Sequence, residues 1–280
     1  MPRRAAKARG LAANVLVQAA VRWESRLEML EMPGRAPDAD PLIKFGHVTA
    51  WVFDLDNTLY PPDSGLWRQI EQRITLFLVE HSGLDGESAR ALQRYYYRKY
   101  GTTLRGLVDE DSVLASDFLD FVHDVDRSGL LPNLPLALEM ARLPGRKLIF
   151  TNGSRDHALR TLSQLGLDGL FEDAFDIEAA GLIPKPADAA YDAFFLRHGV
   201  EPARAAMFED IARNLAVPKS RGMTTILVTG KPDQDDFRQP HDRELGPSSD
   251  IDFVTDDLAG FLSRINDRLD AAKVWPPAVA

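Results

Sequence analysis

The sequence predicts an α/β protein, a parallel sheet covered by helices on both faces. Three observations predict it. Short apolar runs alternate with longer helical stretches over most of the chain after His47. Several of those runs end in acids or hydroxyls just before a helix start, as strands of an open α/β sheet do at their carboxyl edge. The composition, 45% apolar and 27% charged over 280 residues, is that of a globular chain long enough for a full core and more than one module.

The elements follow in order. Met1 to Arg9 is basic, Leu11 to Leu30 is apolar-rich, and Pro33 to Pro41 breaks any helix. Residues 1–46 therefore read as an N-terminal helical extension and linker. Glu24, Arg26 and Glu28 interrupt the apolar stretch that a secretory signal needs, while the basic, acid-poor start also fits a transit peptide. His47 to Phe53 reads as the first strand. Ser64 suits the N-cap of a helix running to about Glu80, with Gly83 as its stop. A second helix spans Glu87 to Tyr100, closed by Gly101, and a third spans about Ser112 to His123. Pro132 and Pro135 then punctuate the chain.

Beyond that point strands and helices alternate. Lys147 to Thr151 reads as a strand after a Pro144-Gly145 turn, and Arg155 to Leu165 as a helix with Gly166 after it. Pro186 to His198 is a helix whose proline sits in the first turn, where its missing N–H costs nothing. Ala205 to Phe208 is a strand, Ile211 to Arg221 a helix, and Thr224 to Val228 a strand. Gly230 to Ser249 is a polar surface loop. Ile251 to Val254 is the last strand and Asp257 to Leu269 the last helix. The chain thus divides into residues 1–46, a core of 47–62 and 131–280, and a helical insert of 63–130.

Bulk properties narrow the function. Cysteine is absent, so disulfides, thiolate nucleophiles and cysteine-based zinc sites are excluded, and a reducing cytoplasm is a natural home. The net charge of -9 supplies no basic field for a nucleic-acid polymer. No apolar stretch is long enough to span a bilayer, so no membrane partner is expected. Oligomeric state stays open between monomer and homodimer.

Four pieces carry the chemistry. Val52-Phe53-Asp54-Leu55-Asp56-Asn57-Thr58 ends a strand with two carboxylates on one side. Two buried acids that close raise each other's pKa unless a cation joins them, and a hard ion such as Mg2+ takes oxygen ligands. A carboxylate nucleophile, an acid/base and a metal together suit phosphoryl transfer. Taken alone, the same residues also fit a turn. Thr151-Asn152-Gly153-Ser154 follows a strand and opens a helix, either as a phosphate cradle or as a capped joint. Lys185 lies between Pro184 and Pro186, either as a held point charge or as an exposed loop lysine. Glu209-Asp210 ends another strand, either as part of an oxygen-rich metal site or as an N-cap pair, and Asn214 follows one helical turn later.

In order and spacing these pieces resemble the four motifs of the haloacid dehalogenase-like (HAD) hydrolase superfamily, over about residues 49–228. The resemblance implies a Rossmann-like core, a small helical cap at 63–130, an aspartyl-phosphate intermediate and Mg2+. It makes Asp54 the nucleophile and a metal ligand. Asp56 becomes the acid/base, with its backbone carbonyl on the metal. Thr151, Asn152 and Gly153 bind phosphate, Lys185 steadies the charge, and Asp210 ligates the metal. Asn214 stands where the family often has an acid. Ile211 replaces a usually small polar residue, and Pro218 is expected to kink the following helix.

The stretch from Tyr95 to Leu107, together with FDLDNTLYP, TNG with His157, the PKP lysine and the FED–Asn pattern, resembles the pyrimidine 5′-nucleotidases of this superfamily. That implies a nucleoside monophosphate as substrate, with Arg105, read as lying in a glycine-flanked turn, as the cap residue that binds it. The runner-up substrates are other small phosphate esters, such as a sugar phosphate or phosphoglycolate. A non-catalytic interaction protein on the same fold is the alternative of a different class, and the intact acid set speaks against it.

Overall fold

The computed structural model describes residues 45–230 and 248–274. The N-terminal extension and nearly all of the polar loop after Gly230 lie outside the described residues. Six strands form one sheet: β1 (Ala50–Phe53), β2 (Arg146–Phe150), β3 (Asp173–Phe175), β4 (Ala205–Glu209), β5 (Thr224–Val228) and β6 (Phe253–Thr255). Their order is β3-β2-β1-β4-β5-β6, and every neighbouring pair is parallel. The chain builds outward from β1 in one direction, then returns to its other side. That reversal at β1 is the topological switch point, where open α/β sheets bind ligands.

The strands are buried on both faces, as a parallel sheet requires. Ala50 and Val52 of β1 join one apolar cluster with Leu148, Phe150 and Met207, covered by Tyr191 and Phe194 of a helix at Asp188–His198. Trp51 and Phe53 point the other way. Phe53 stacks on Phe208 with ring centroids 4.5 Å apart, and Trp51 lies 5.8 Å from Phe45, which meets Phe261 of the last helix. The fold is therefore a Rossmann-like α/β sandwich, as expected.

Nine α-helices occur among the described residues: α1 (Leu66–Ser82), α2 (Gly86–Tyr100), α3 (Thr103–Asp111), α4 (Ala115–Val122), α5 (Leu134–Arg142), α6 (Arg155–Gln164), α7 (Asp188–His198), α8 (Ala216–Ser220) and α9 (Leu258–Val274). Helices α1–α4 fall between β1 and β2 in the chain. They share an apolar cluster that includes Leu78, Leu104, Leu107, Phe118 and Val122, joined from the sheet side by Ile177. Gly83 and Gly101 end α1 and α2 in the left-handed conformation that glycine adopts without strain. Gly106 lets α3 press on α2: a Cβ there would stand 2.4 Å from the Tyr96 ring.

Local chemistry explains where the sequence reading missed. Helix α3 stands where a glycine-flanked turn is expected around Arg105; Thr102 caps it by accepting the Arg105 N–H at 3.2 Å. Helix α5 stands where the prolines are expected to break the chain. Pro135 instead occupies its first turn, and Asn133 caps it by accepting the Leu136 N–H at 3.1 Å. Strand β3 has only three residues and shows no alternation long enough to read. In place of the single helix expected from Ile211 to Arg221, the segment after β4 is a 3-10 turn, Ala212–Leu215, followed by the five-residue α8, with Pro218 in its first turn. The last helix runs to Val274 rather than Leu269.

Candidate active site

The parallel register brings the chemistry to one level. Phe53 pairs with Ile149 and with Phe208, so Asp54, one residue past the end of β1, sits level with the last residues of both neighbours, Phe150 and Glu209. The Asp54 N–H donates to the Phe208 carbonyl at 2.9 Å, which extends the strand by one residue. The chain then turns at Asn57, whose φ of 58 lies in the left-handed region that asparagine tolerates. The turn brings Thr58 back, and its hydroxyl donates to Asp54 Oδ2 at 3.2 Å.

Lys185 is buried at 2% exposure and is the hub of the site. Its Nζ donates to Asp54 Oδ1 at 2.7 Å, to Glu209 Oε1 at 2.8 Å and to the Phe150 carbonyl at 2.8 Å. All three ammonium protons are thereby used. Burial pulls the lysine's pKa down, but the charges of Asp54 and Glu209 outweigh it and raise it above its usual value. Burial pushes Asp54 up, Lys185 opposes, and Glu209 and Asp56 add to the rise, which reaches about 7. The Asp54 carboxylate is thus expensive to ionise until a further cation joins it.

Asp56 is held differently. Its Oδ1 accepts from His157 Nε2 at 2.8 Å and from the Tyr60 hydroxyl at 2.5 Å. Burial raises this acid, while His157 and the two hydrogen bonds lower it, and the net value is below that of a free aspartate. His157 stacks on His123 with ring centroids 4.3 Å apart. Burial, and next the neighbouring His157, hold His123 down to about 3. Ser154 bonds the Nδ1 of His123 at 2.9 Å.

The second motif is split in its tasks. Thr151 Oγ1 accepts the Gly153 N–H at 2.9 Å, which shapes the turn at the cavity floor. The Asn152 side chain accepts the Lys185 N–H at 2.9 Å and donates to the Lys185 carbonyl at 3.2 Å. That amide clamps the lysine loop, so the Asn152 side chain, expected to bind phosphate, is already engaged. Ile211 is tolerated because the motif uses its backbone: its N–H donates to Glu209 Oε2 at 2.8 Å.

One cavity collects Asp54, Asp56, Thr151, Asn152, Gly153, Lys185 and Asp210. Arg105 does not line it. Arg105 lies on helix α3, not in a turn, and its Nε donates to Asp109 at 2.8 Å one turn along. The helical block instead contributes Trp67, Gln93, Arg94 and Tyr97 to the cavity. Tyr97 is bonded to Arg213, which follows β4, and their side chains also stack with the guanidinium 4.9 Å from the ring. The helical periodicity of α2 puts residues three apart on one face, which is the signal that would have paired Arg94 with Tyr97.

Sequence reading also missed Tyr60, His123 and Arg127, and gave His157 no role beyond a pattern. Tyr60 sits four residues after Asp56 in the first motif, so it was within reach of the reading. Arg127 was not, because nothing in the sequence links a residue beyond α4 to a histidine on α6.

The acidic cluster tests whether a metal fits. Ligand oxygens of Asp54, Glu209 and Asp210 lie within 4.8 Å of one another, all three residues buried. Buried carboxylates this close suit a hard divalent ion. Asn214 Oδ1 is buried at the cavity without a partner, an acceptor suited to a metal-bound water. Glu209 has both oxygens engaged by Lys185, Asn214 and the Ile211 amide, so it serves first as the lysine's counter-charge. The Asp56 side chain lies outside the cluster, turned to His157; only its backbone carbonyl is left for the metal role expected of it.

A family model of haloacid dehalogenase-like hydrolases matches residues 48–222, and the chain belongs to that family. Among curated proteins, Phosphate metabolism protein 8 of Saccharomyces cerevisiae is 28% identical over 214 residues, covering 70% of this chain and 64% of that protein. The chain thus spans a little less than two thirds of that relative's length. Among solved structures, an L-2-haloacid dehalogenase is 15% identical with a TM-score of 0.50, covering 78% of this chain and 99% of its own. A defluorinating L-2-haloacid dehalogenase is 12% identical with a TM-score of 0.50, covering 78% and 95%. At these identities the structural likenesses concern the fold alone.

Proposed function

We propose that the protein is a Mg2+-dependent phosphatase of nucleoside 5′-monophosphates, with pyrimidine nucleotides preferred, working through an aspartyl-phosphate. The observation that carries the reading is the pairing of two differently held acids. Asp54 is bound to a buried lysine beside an acidic cluster, and Asp56 is hydrogen-bonded on one oxygen only. A halide leaves without a proton, whereas a ribose alkoxide needs one, so a poised second acid favours ester cleavage over dehalogenation.

Asp54 attacks phosphorus in line, and the bond to the ribose oxygen breaks as Asp56 gives that oxygen its proton. Asp56 then takes a proton from water, which attacks phosphorus and frees Asp54 and inorganic phosphate. Lys185 holds Asp54 in place, and Thr151 with the backbone around Gly153 cradles the phosphoryl oxygens. Asp54, Asp210 and the Asp56 carbonyl are the proposed ligands of Mg2+, which supplies charge neutralisation at the phosphoryl group. Helices α1–α4 act as the cap that shields the reaction from water.

The test is phosphate release from nucleotides, sugar phosphates and simple phosphate esters, with Mg2+ and with chelator. Release that needs the metal and is strongest on UMP or CMP supports the whole reading. Release on another ester keeps the chemistry and moves the substrate to the runner-up class. No release on any ester sinks it.

Two expectations follow. Arg94 lines the cavity and makes no hydrogen bond or ion pair among the described residues, so it is the better base or sugar contact. Arg94→Ala is expected to raise KM about tenfold with kcat little changed, the loss of one charged contact. Arg105→Ala, which removes only a partly exposed i,i+4 pair, leaves both constants unchanged.

The second concerns the metal. The folded-state pKa of Asp54 is raised above its unfolded value, so its stabilising contribution is complete at low pH and is lost as pH rises through about 7. Binding of Mg2+ needs the ionised carboxylate. The rise in Tm on adding Mg2+ is therefore expected to be larger at pH 8 than at pH 6, as read by thermal melts against chelator. An equal rise at both values contradicts it.

A further inference from the structure

The proposed chemistry leaves unexplained a buried chain of side chains behind Asp56. Arg127 Nη2 lies 2.7 Å from His157 Nδ1, and His157 Nε2 lies 2.8 Å from Asp56 Oδ1. A guanidinium has donors only, so His157 Nδ1 is the acceptor and its proton sits on Nε2. That nitrogen donates to Asp56. Arg127 is itself held: its Nη1 donates to the Val125 carbonyl at 3.1 Å, its Nη2 to the His123 carbonyl at 3.2 Å and its Nε to Thr161 at 3.3 Å. His157 is 0% exposed and is fixed in plane by the His123 ring, 11° from parallel. Tyr60 donates to the same Asp56 oxygen at 2.5 Å.

Resting on the phosphatase reading, we infer that His157, oriented by Arg127, and Tyr60 are positioning residues that place the transferable proton of Asp56 on Oδ2. Both donors occupy Oδ1, so a proton on that oxygen would displace a hydrogen bond. Oδ2 takes no hydrogen bond from the described residues, and the Asp56 side chain is 13% exposed on the cavity it lines. In the acid form the proton resides on Oδ2 and Oδ1 stays an acceptor. When the leaving oxygen takes that proton, the two donors stabilise the carboxylate left behind. No atom of His157, Tyr60 or Arg127 joins the reacting groups.

This role differs from a purely structural one in its dependence on the leaving group. The ratio kcat/KM reports steps up to departure of the first product. A nitrophenolate leaves unaided, whereas an alkoxide needs the Asp56 proton. The experiment measures kcat/KM with Mg2+ on p-nitrophenyl phosphate and on an alkyl phosphate that the wild type hydrolyses, chosen from the nucleotides and sugar phosphates. It uses wild type, His157→Phe, His157→Gln and Tyr60→Phe.

His157→Phe keeps the ring against His123 and removes both nitrogens. It is expected to lower the alkyl-ester value about 100-fold while the aryl-ester value changes less than about threefold. His157→Gln restores a donor and recovers part of the loss. Tyr60→Phe removes a single hydroxyl and changes no packing, so it keeps the test valid if the histidine variants fold poorly; it lowers the alkyl value about tenfold with the aryl value unchanged. Equal losses on both esters in Tyr60→Phe and in folded His157→Phe, or no loss on either, overturn the inference while wild-type turnover keeps the phosphatase reading. Wild-type silence on both esters overturns the phosphatase reading and this inference with it.

Discussion

Asp54→Asn is expected to abolish turnover on every phosphate ester, with kcat down by at least about 10⁴-fold, because the proposed nucleophile is lost and no other side chain can form the covalent intermediate. The fold should survive. The amide keeps the volume of the acid; with its oxygen toward Lys185 its NH2 can donate to the Thr58 hydroxyl, and Lys185 retains Glu209 at 2.8 Å. A melting curve near that of the wild type beside vanished phosphate release is the expected pair of results. Substantial turnover in the variant would falsify the nucleophile assignment. A collapse of the fold would mean that the Asp54–Lys185 bond is a structural requirement first.

Lys185→Met is the second large effect, and it acts on stability and activity together. Methionine is unbranched like lysine, one atom shorter and uncharged, so packing is nearly preserved. What is lost is the ammonium between two buried carboxylates. Asp54 and Glu209 then face each other with no compensating charge, and removing one partner of such a buried set costs about 3–5 kcal/mol. The three acceptors of Nζ, including the Phe150 carbonyl, are also left short of a donor. Chemical denaturation in chelator should show the loss. Mg2+ should recover part of it, since a cation among Asp54, Glu209 and Asp210 relieves the same repulsion. Activity should stay low even with the metal, because the ammonium that steadies Asp54 is gone. A variant as stable as the wild type in chelator would mean that Glu209 or Asp54 takes up a proton at no cost.

These two experiments separate roles that the geometry ties together. Asp54 and Lys185 are 131 residues apart in the chain and 2.7 Å apart in space. The clamp that brings them together is itself long-range, since the Asn152 amide holds both the N–H and the carbonyl of Lys185. Asn152 therefore connects the second and third motifs by structure, and its substitution would be felt at Asp54 through the lysine.

Much of this was legible in the chain. Strands β1, β2, β4 and β5 each carry an apolar run, Ala50–Phe53, Leu148–Phe150, Ala205–Phe208 and Ile226–Val228, because parallel strands are buried on both faces, and the acids and hydroxyls that follow several of these runs marked the carboxyl edge. Terminal glycines placed the ends of α1, α2 and α6 within a few residues; the expected N-cap Ser64 stands one residue before the observed cap Gly65, and Pro186, expected in the first turn of α7, stands before that helix, which begins at Asp188. The residues Asp54, Asp56, Thr151, Lys185 and Asp210 were readable because each lies at a strand end or in a proline-framed loop. The elements that were missed had weak local signals: three residues for β3, a glycine in α3 packed for close approach, and a proline at the permitted start of α5.

The sequence by itself thus determined five of the six strands, the order of the motifs and the candidate acids, because these depend on local periodicity and on chemistry written at strand ends. Tertiary structure decided which partner each acid has. Asp54 and Asp56 stand two residues apart with the same side chain, yet one meets a lysine and the other a histidine and a tyrosine. It decided that Glu209 anchors the lysine, and that Arg94 rather than Arg105 reaches the cavity. Those assignments depend on distances between segments far apart in the chain, which packing sets and local sequence does not encode.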